Sequence, residues 1–404
     1  MKNRKVRVLM YGMLGSLLFG NVGSAVEMVR ENESITSVET EEFEPTYDSE
    51  EWIDSEGIVD YPVDIFDDEW KDLQTYEEML EACTIPDDIL QQMTTEQLLD
   101  LFLNSPLLCN IYAFDTIQEG LVEMYKTDNG LQALFDRQDL SSVLLNRYQA
   151  CTVGHEKESA VEGFYDTSEV IILEALLAQN EVVSQLDKNE RKELLEEVKD
   201  KMTEKNNDEL YNGEESTFYD VVLANDLDEE LQLCIDTKII NKREDVVCAA
   251  TTTTYVKTPK GTKVTVYKYD DMSANRKKEI NAAFKKDWPN ATYLSTATKK
   301  YNCHSYAWYK QSTSNAYWMN SPKQYVSDKS YKYVGINATA KGQKIVYKYQ
   351  KVPVDSWIHS GVVSTSKSPF LITSKWGQAP LMQHAVLYCP YVSQSNAFHY
   401  YTKN

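Results

Sequence analysis

Residues 301–310 read Tyr301-Asn302-Cys303-His304-Ser305-Tyr306-Ala307-Trp308-Tyr309-Lys310. Polar, turn-prone residues precede Cys303, and His304 to Lys310 can form a helix, so the sulfur falls in the first turn of that helix. There the partial positive charge of a helix N-terminus lowers a thiol pKa and favours the reactive thiolate. Downstream, Trp357-Ile358-His359-Ser360-Gly361-Val362-Val363 reads as a strand. Alternation puts His359, Gly361 and Val363 on one face and Ile358, Ser360 and Val362 on the other. Alone, a cysteine is more often a small buried hydrophobe, and a strand histidine a satisfied core residue. The order helix-initial cysteine, hairpin, strand histidine shifts that balance toward a nucleophile and its base.

Working outward, Tyr255–Thr258, the turn Pro259-Lys260-Gly261 and Thr262–Tyr269 read as a β-hairpin. Ser273 caps a helix that runs to Trp288 and ends at Pro289. Ile345–Tyr349, Trp357–Ser364 and Phe370–Lys375 are strand-like. Residues 255–404 are therefore expected to be an α+β domain, a helix-borne cysteine packed on an antiparallel sheet. Upstream, residues 69–244 carry helical signals. Thr94 with Gln97 makes a capping box, Thr167 opens a crowded apolar helix, and Lys188–Lys205 is charged on most faces, as an exposed helix or a lid would be. Residues 245–254 read as a linker.

Charge divides the chain the same way. From Thr251 to the end there are 22 Lys and Arg against 6 Asp and Glu, while the whole chain is at -22. Two regions of opposite sign point to intramolecular docking of the acidic N-terminal region on the basic C-terminal one. Residues 26–68 are rich in carboxylates without apolar periodicity, the composition of a mostly disordered leader. Residues 1–25 have the pattern of a signal peptide: Lys2, Arg4, Lys5 and Arg7, an apolar Val8–Phe19, then Gly23-Ser24-Ala25. The expectation is a secreted protein, extracellular or bound to the cell wall, with no integral membrane segment after cleavage.

The seven cysteines are an odd number, so at least one lacks an intramolecular partner. Cys83, Cys109, Cys151 and Cys234 sit among apolar residues of helical segments, and most are expected to be unpaired and inert. No metal-ligand spacing, phosphate loop or dinucleotide glycine pattern occurs, so neither a metal nor a cofactor is expected. A basic surface without a reader motif gives no ground for nucleic acid as a partner.

The residues around Cys303 and His359 resemble the papain-like cell-wall amidases and peptidases, the NlpC-type and CHAP-type superfamily. Asn302, Cys303, Tyr306 and Ala307 match its nucleophile helix, Gly342–Tyr347 its glycine-led strand, and His359-Ser360-Gly361-Val362-Val363 its histidine strand. The likeness covers about residues 290–376. It implies a cysteine amidohydrolase or peptidase acting on a peptide or peptidoglycan-type substrate, with Cys303 as nucleophile and His359 as base. A polar third residue would come from the next strand: Ser374 first, His384 second. Tyr293 resembles a tyrosine often found near the nucleophile. His304 and Ser305 depart from the small residues usual after the cysteine, and Gln343 from the usual Asp. The alternative is a secreted binding protein that uses the same fold without catalysis.

Overall fold

The computed structural model describes residues 34–53, 57–154, 160–211, 252–349, 356–393 and 396–404. The expected signal segment, His155, Cys234, Cys248 and residues 245–251 of the expected linker lie outside them. One compact unit ends at Val38, and Glu39–Asn404 make a second, which holds every residue discussed below. It is α+β, with a helical N-terminal part and a C-terminal antiparallel sheet.

Helix starts follow capping chemistry. Thr75 with Glu78, Thr94 with Gln97 and Asp187 with Glu190 each form a capping box, opening Tyr76–Cys83, Thr95–Leu103 and Lys188–Asn207. The crowded apolar helix spans Ala160–Leu177, so Thr167 lies inside it, fully buried, rather than opening it. Lys188–Asn207 is not a solvated lid. Leu194, Leu195, Val198 and Met202 form a buried stripe, and Lys205 pairs with Glu174 in the interior. The leader, too, is partly ordered: Trp52, Val63 and Ile65 are buried, and the Trp52 and Tyr61 rings lie 5.3 Å apart.

The strands are β1 (Thr252–Lys257), β2 (Lys263–Lys268), β3 (Thr292–Ser295), β4 (Tyr331–Gly335), β5 (Lys344–Tyr349), β6 (Trp357–Val363), β7 (Ile372–Lys375), β8 (Leu381–His384) and β9 (Asn396–Lys403). The β1–β2 hairpin uses the expected turn, and Thr252–Thr254 belong to β1 rather than to a linker. The other seven form one antiparallel sheet in the order β3-β8-β7-β6-β5-β9-β4.

Helix Ala274–Asp287, capped by Ser273 as expected, joins the two parts. Arg276 on it is fully buried and donates to Glu279, to Ser168 and to the Tyr112 hydroxyl. The Trp288 indole donates to Asn110 at 3.0 Å and packs edge-on against Trp376 and Tyr388. Trp70 donates to the Asp287 carbonyl at 2.8 Å. Such contacts make a shared core, so the helical and sheet regions are packed as one body. Among the described residues no helix is long and apolar enough to cross a membrane.

Candidate active site

Cys303 and His304 open a helical turn, as the sequence leads one to expect, but the turn widens into a single π-turn over Ser305–Tyr309. The Lys310 N–H donates to the Ser305 carbonyl at 3.1 Å, the five-residue spacing of a π-helix. Asn302 holds its start. Its Oδ1 accepts from the N–H of Ser305 at 3.2 Å and of Met319 at 3.1 Å, and its Nδ2 donates to the Met319 carbonyl at 3.0 Å. Ala307 and Trp308 then pack against Val346 and Val362 of the sheet.

The sheet splits where Cys303 meets it. Strands β6 and β7 pair only at Val362–Thr373 and Val363–Ile372, although β6 begins at Trp357 and β7 runs to Lys375. The backbone of Ser360, on the part of β6 that β7 leaves unpaired, and that of His304 both act to lower the Cys303 thiol pKa. Burial dominates the thiol and, with the nearby Asp115 carboxylate, raises its pKa; the two backbone groups and Lys375 pull it down. The sum is a neutral, 3 % exposed thiol.

Three histidines surround this split in different states. His304, on the cysteine turn, bonds Ser360 Oγ through Nδ1 at 2.8 Å and the Trp357 carbonyl through Nε2 at 3.1 Å. His384 bonds Ser374 Oγ through Nε2 at 2.8 Å and the Ala385 carbonyl through Nδ1 at 2.8 Å. A carbonyl only accepts, so the nitrogen facing it carries the proton and the other accepts from the serine hydroxyl. Each serine in turn accepts from an indole N–H, Trp308 to Ser360 and Trp376 to Ser374, both at 3.0 Å. Burial pushes both imidazoles down to about 4, against the pull of the carbonyls.

His359 differs. It sits opposite Tyr347 in register, on the reverse face from Ser360, Val346 and the cysteine turn. Its ring stacks on Tyr391, centroids 3.5 Å apart and 9° from parallel. Neither ring nitrogen has a hydrogen-bond partner among the described residues, the Cys303 sulfur included. The Cys303–His359 hydrogen bond expected from sequence is therefore absent from this conformation. Burial, then the neighbouring His384 and His304, depress the His359 pKa well below the usual imidazole value.

Of the residues expected at the site, the structure brings Ser374 and His384 together, but with each other. Tyr293 lies on β3, beyond β8 and β7 from β6, with Lys285 over its ring at 3.8 Å. The tyrosine at the site is Tyr391, whose phenol pKa is raised first by burial and next by Cys303. Two more residues complete the surroundings. Lys375 is fully buried, donates to the carbonyls of Thr298, Gly377 and Ala379, and is lowered by burial to about 7. Asp115, from the helical part, accepts from Asn302 Nδ2 and Trp318 Nε1, both at 3.1 Å, and burial raises it to about 6. Nothing in the sequence marks Asp115 or Tyr391, because each meets Cys303 only through the fold. Lys375 sits in the segment singled out for a third catalytic residue.

The five described cysteines are unpaired. Burial raises the pKa of Cys83 and Cys109, and takes Cys151 and Cys389 to about 12. Among the described residues no group of three His, Cys, Asp or Glu is placed to hold a metal ion. No protein-family model, curated protein or solved structure matches this chain.

Proposed function

We propose that this chain is a secreted cysteine hydrolase of amide bonds with a papain-like catalytic arrangement, acting on cell-wall peptide or a related extracellular peptide. The observation that supports it most is the place of Cys303 at the start of a helical turn, against the split between β6 and β7. A helix start and backbone N–H groups left unpaired by such a split can stabilise a thiolate, and an N–H beside the nucleophile can stabilise the oxyanion. His359 is the proposed base; it lies on the other face of β6 from Ser360, with both ring nitrogens unpartnered among the described residues, and reaches the sulfur in this reading only after Tyr391 leaves its ring and the two side chains are brought together.

In the reaction His359 takes the thiol proton, and sulfur bonds to the amide carbon as the carbonyl electrons move to oxygen. Collapse expels the amine, which receives the proton from His359, and leaves a thioester on Cys303. Water, deprotonated by His359, then releases the acid and the free thiol. A basic sheet region raises the local concentration of anionic wall polymers.

The described conformation is a resting one. Thiol and imidazole are both neutral, and Tyr391 covers His359. The test is amine release from wall-derived peptides, with trapping of an acyl group on Cys303 by mass spectrometry. Turnover and adduct should both vanish in Cys303→Ala. Turnover that survives this substitution would end the reading.

A further inference from the structure

Residues 112–115, from the helical part, pack against the turn after β7, against Tyr391 and against the residues that hold the Cys303 turn. The Tyr112 carbonyl accepts from the N–H groups of Gln378 and Ala379, each at 3.1 Å. The Ala113 carbonyl accepts from the Tyr391 hydroxyl. Phe114 is extended, φ -104 and ψ 175, and its ring lies 5.3 Å from that of Tyr391. Asp115 then places its carboxylate on Asn302 and Trp318, beside Cys303. Beneath the segment Gly377 has φ +45, and a Cβ there would lie 2.3 Å from the Phe114 oxygen and 2.4 Å from that of Ala113. Only glycine admits so close a backbone. On the other side of Phe114, between it, Ile358 and Tyr391, lies a cavity of about 20 Å³, room for one water.

Backbone carbonyls met by N–H and O–H donors, with one side chain seated on polar groups next to the nucleophile, is how a cleft holds an extended peptide. We propose that Tyr112–Asp115 is an internal pseudosubstrate, and that the cleft it fills takes extended peptides bearing a short acidic side chain where Asp115 now sits. This rests on Cys303 being the nucleophile. The same segment accounts for the resting state, since the hydroxyl of Tyr391 is committed to Ala113 while its ring covers His359.

The test uses the full chain carrying Phe114→Ala and Asp115→Ala. Chloroacetamide labelling, read at Cys303 by peptide mapping, should be at least about 10-fold faster than in the wild type, the rate change for 1.4 kcal/mol lost from the closed state. Acetyl-Tyr-Ala-Phe-Asp-amide added in trans should restore protection, and the same peptide ending in Asn should protect at least about 10-fold less well. Unchanged labelling, or equal protection by the two peptides, overturns the proposal. So does equally fast labelling of Cys303 in Leu194→Ala, a core variant on the helix Lys188–Asn207, at matched thermal stability. Peptide-protected labelling without amide turnover would uphold the cleft and its acidic preference while removing the hydrolase reading.

Discussion

Two parts of the sheet carry the same device. On the cysteine side, Trp308 donates to Ser360 and His304 links Ser360 to a carbonyl. On the other, Trp376 donates to Ser374 and His384 links Ser374 to a carbonyl. Every polar atom of the two imidazoles is used, and protonating either ring would break its bond from serine. Between them stands His359, equally buried and wholly unpaired among the described residues. An unsatisfied buried imidazole costs stability, so the contrast separates two histidines whose bonds hold the fold from one that adds no hydrogen bond to it.

Removing each histidine should sharpen that contrast. His384→Leu leaves the Ser374 O–H without its acceptor and the Ala385 carbonyl without the His384 donor, at about 1–3 kcal/mol for each group. His359→Leu removes an unpaired group and should leave stability unchanged or raise it by up to about 1 kcal/mol. Urea unfolding of both variants checks the pair. Equal losses would mean that His359 is as structural as His384.

A smaller effect is expected at Gly377. Alanine there costs about 1–2 kcal/mol for the left-handed backbone alone, and its Cβ collides with the Ala113 and Phe114 carbonyls. Gly377→Ala should lower the thermal midpoint and speed alkylation of Cys303 together. A fall in stability with Cys303 still protected would mean that the segment does not guard the thiol.

The pH dependence tests the saturated pair by its sign. His384 titrates at about 4 in the folded chain against 6.5 when free. Between those values the unfolded chain binds a proton that the folded chain does not, so stability falls as pH drops through the window. At pH 5 the loss is of order 2 kcal/mol, and His304 acts in the same direction. His384→Gln lacks the titrating group. Its stability relative to the wild type should therefore improve by about that amount between pH 7 and pH 5, measured by denaturant unfolding. A constant difference would show that His384 does not titrate in this way.

Much of this architecture was legible locally. The hairpin around Pro259–Gly261, the Ser273 cap, the Thr94–Gln97 capping box and the strands of His359 and Ser374 follow from short-range rules, and the structure has them. The helix-initial position of Cys303 belongs with these. What failed was whatever depended on distant partners. Lys188–Asn207 looked solvated because its charges outnumber its apolar stripe, and only Glu174 in another helix makes Lys205 an interior residue. Alternation correctly split His359 from Ser360, yet sequence could not say which face the cysteine turn would cover. Asp115 and Tyr391 carry no pattern at all; the first lies 188 residues before Cys303 and the second 88 after it.

Central to the account is the pairing of Cys303 with His359 once Tyr112–Asp115 withdraws. In the Phe114→Ala, Asp115→Ala chain, the pH dependence of Cys303 alkylation reports the apparent pKa of the thiol. With His359 present its midpoint should lie at least about one unit below that of the same chain carrying His359→Leu, since an imidazolium beside a thiolate favours the charged pair. Coincident midpoints would contradict the assignment of His359 as the partner of Cys303.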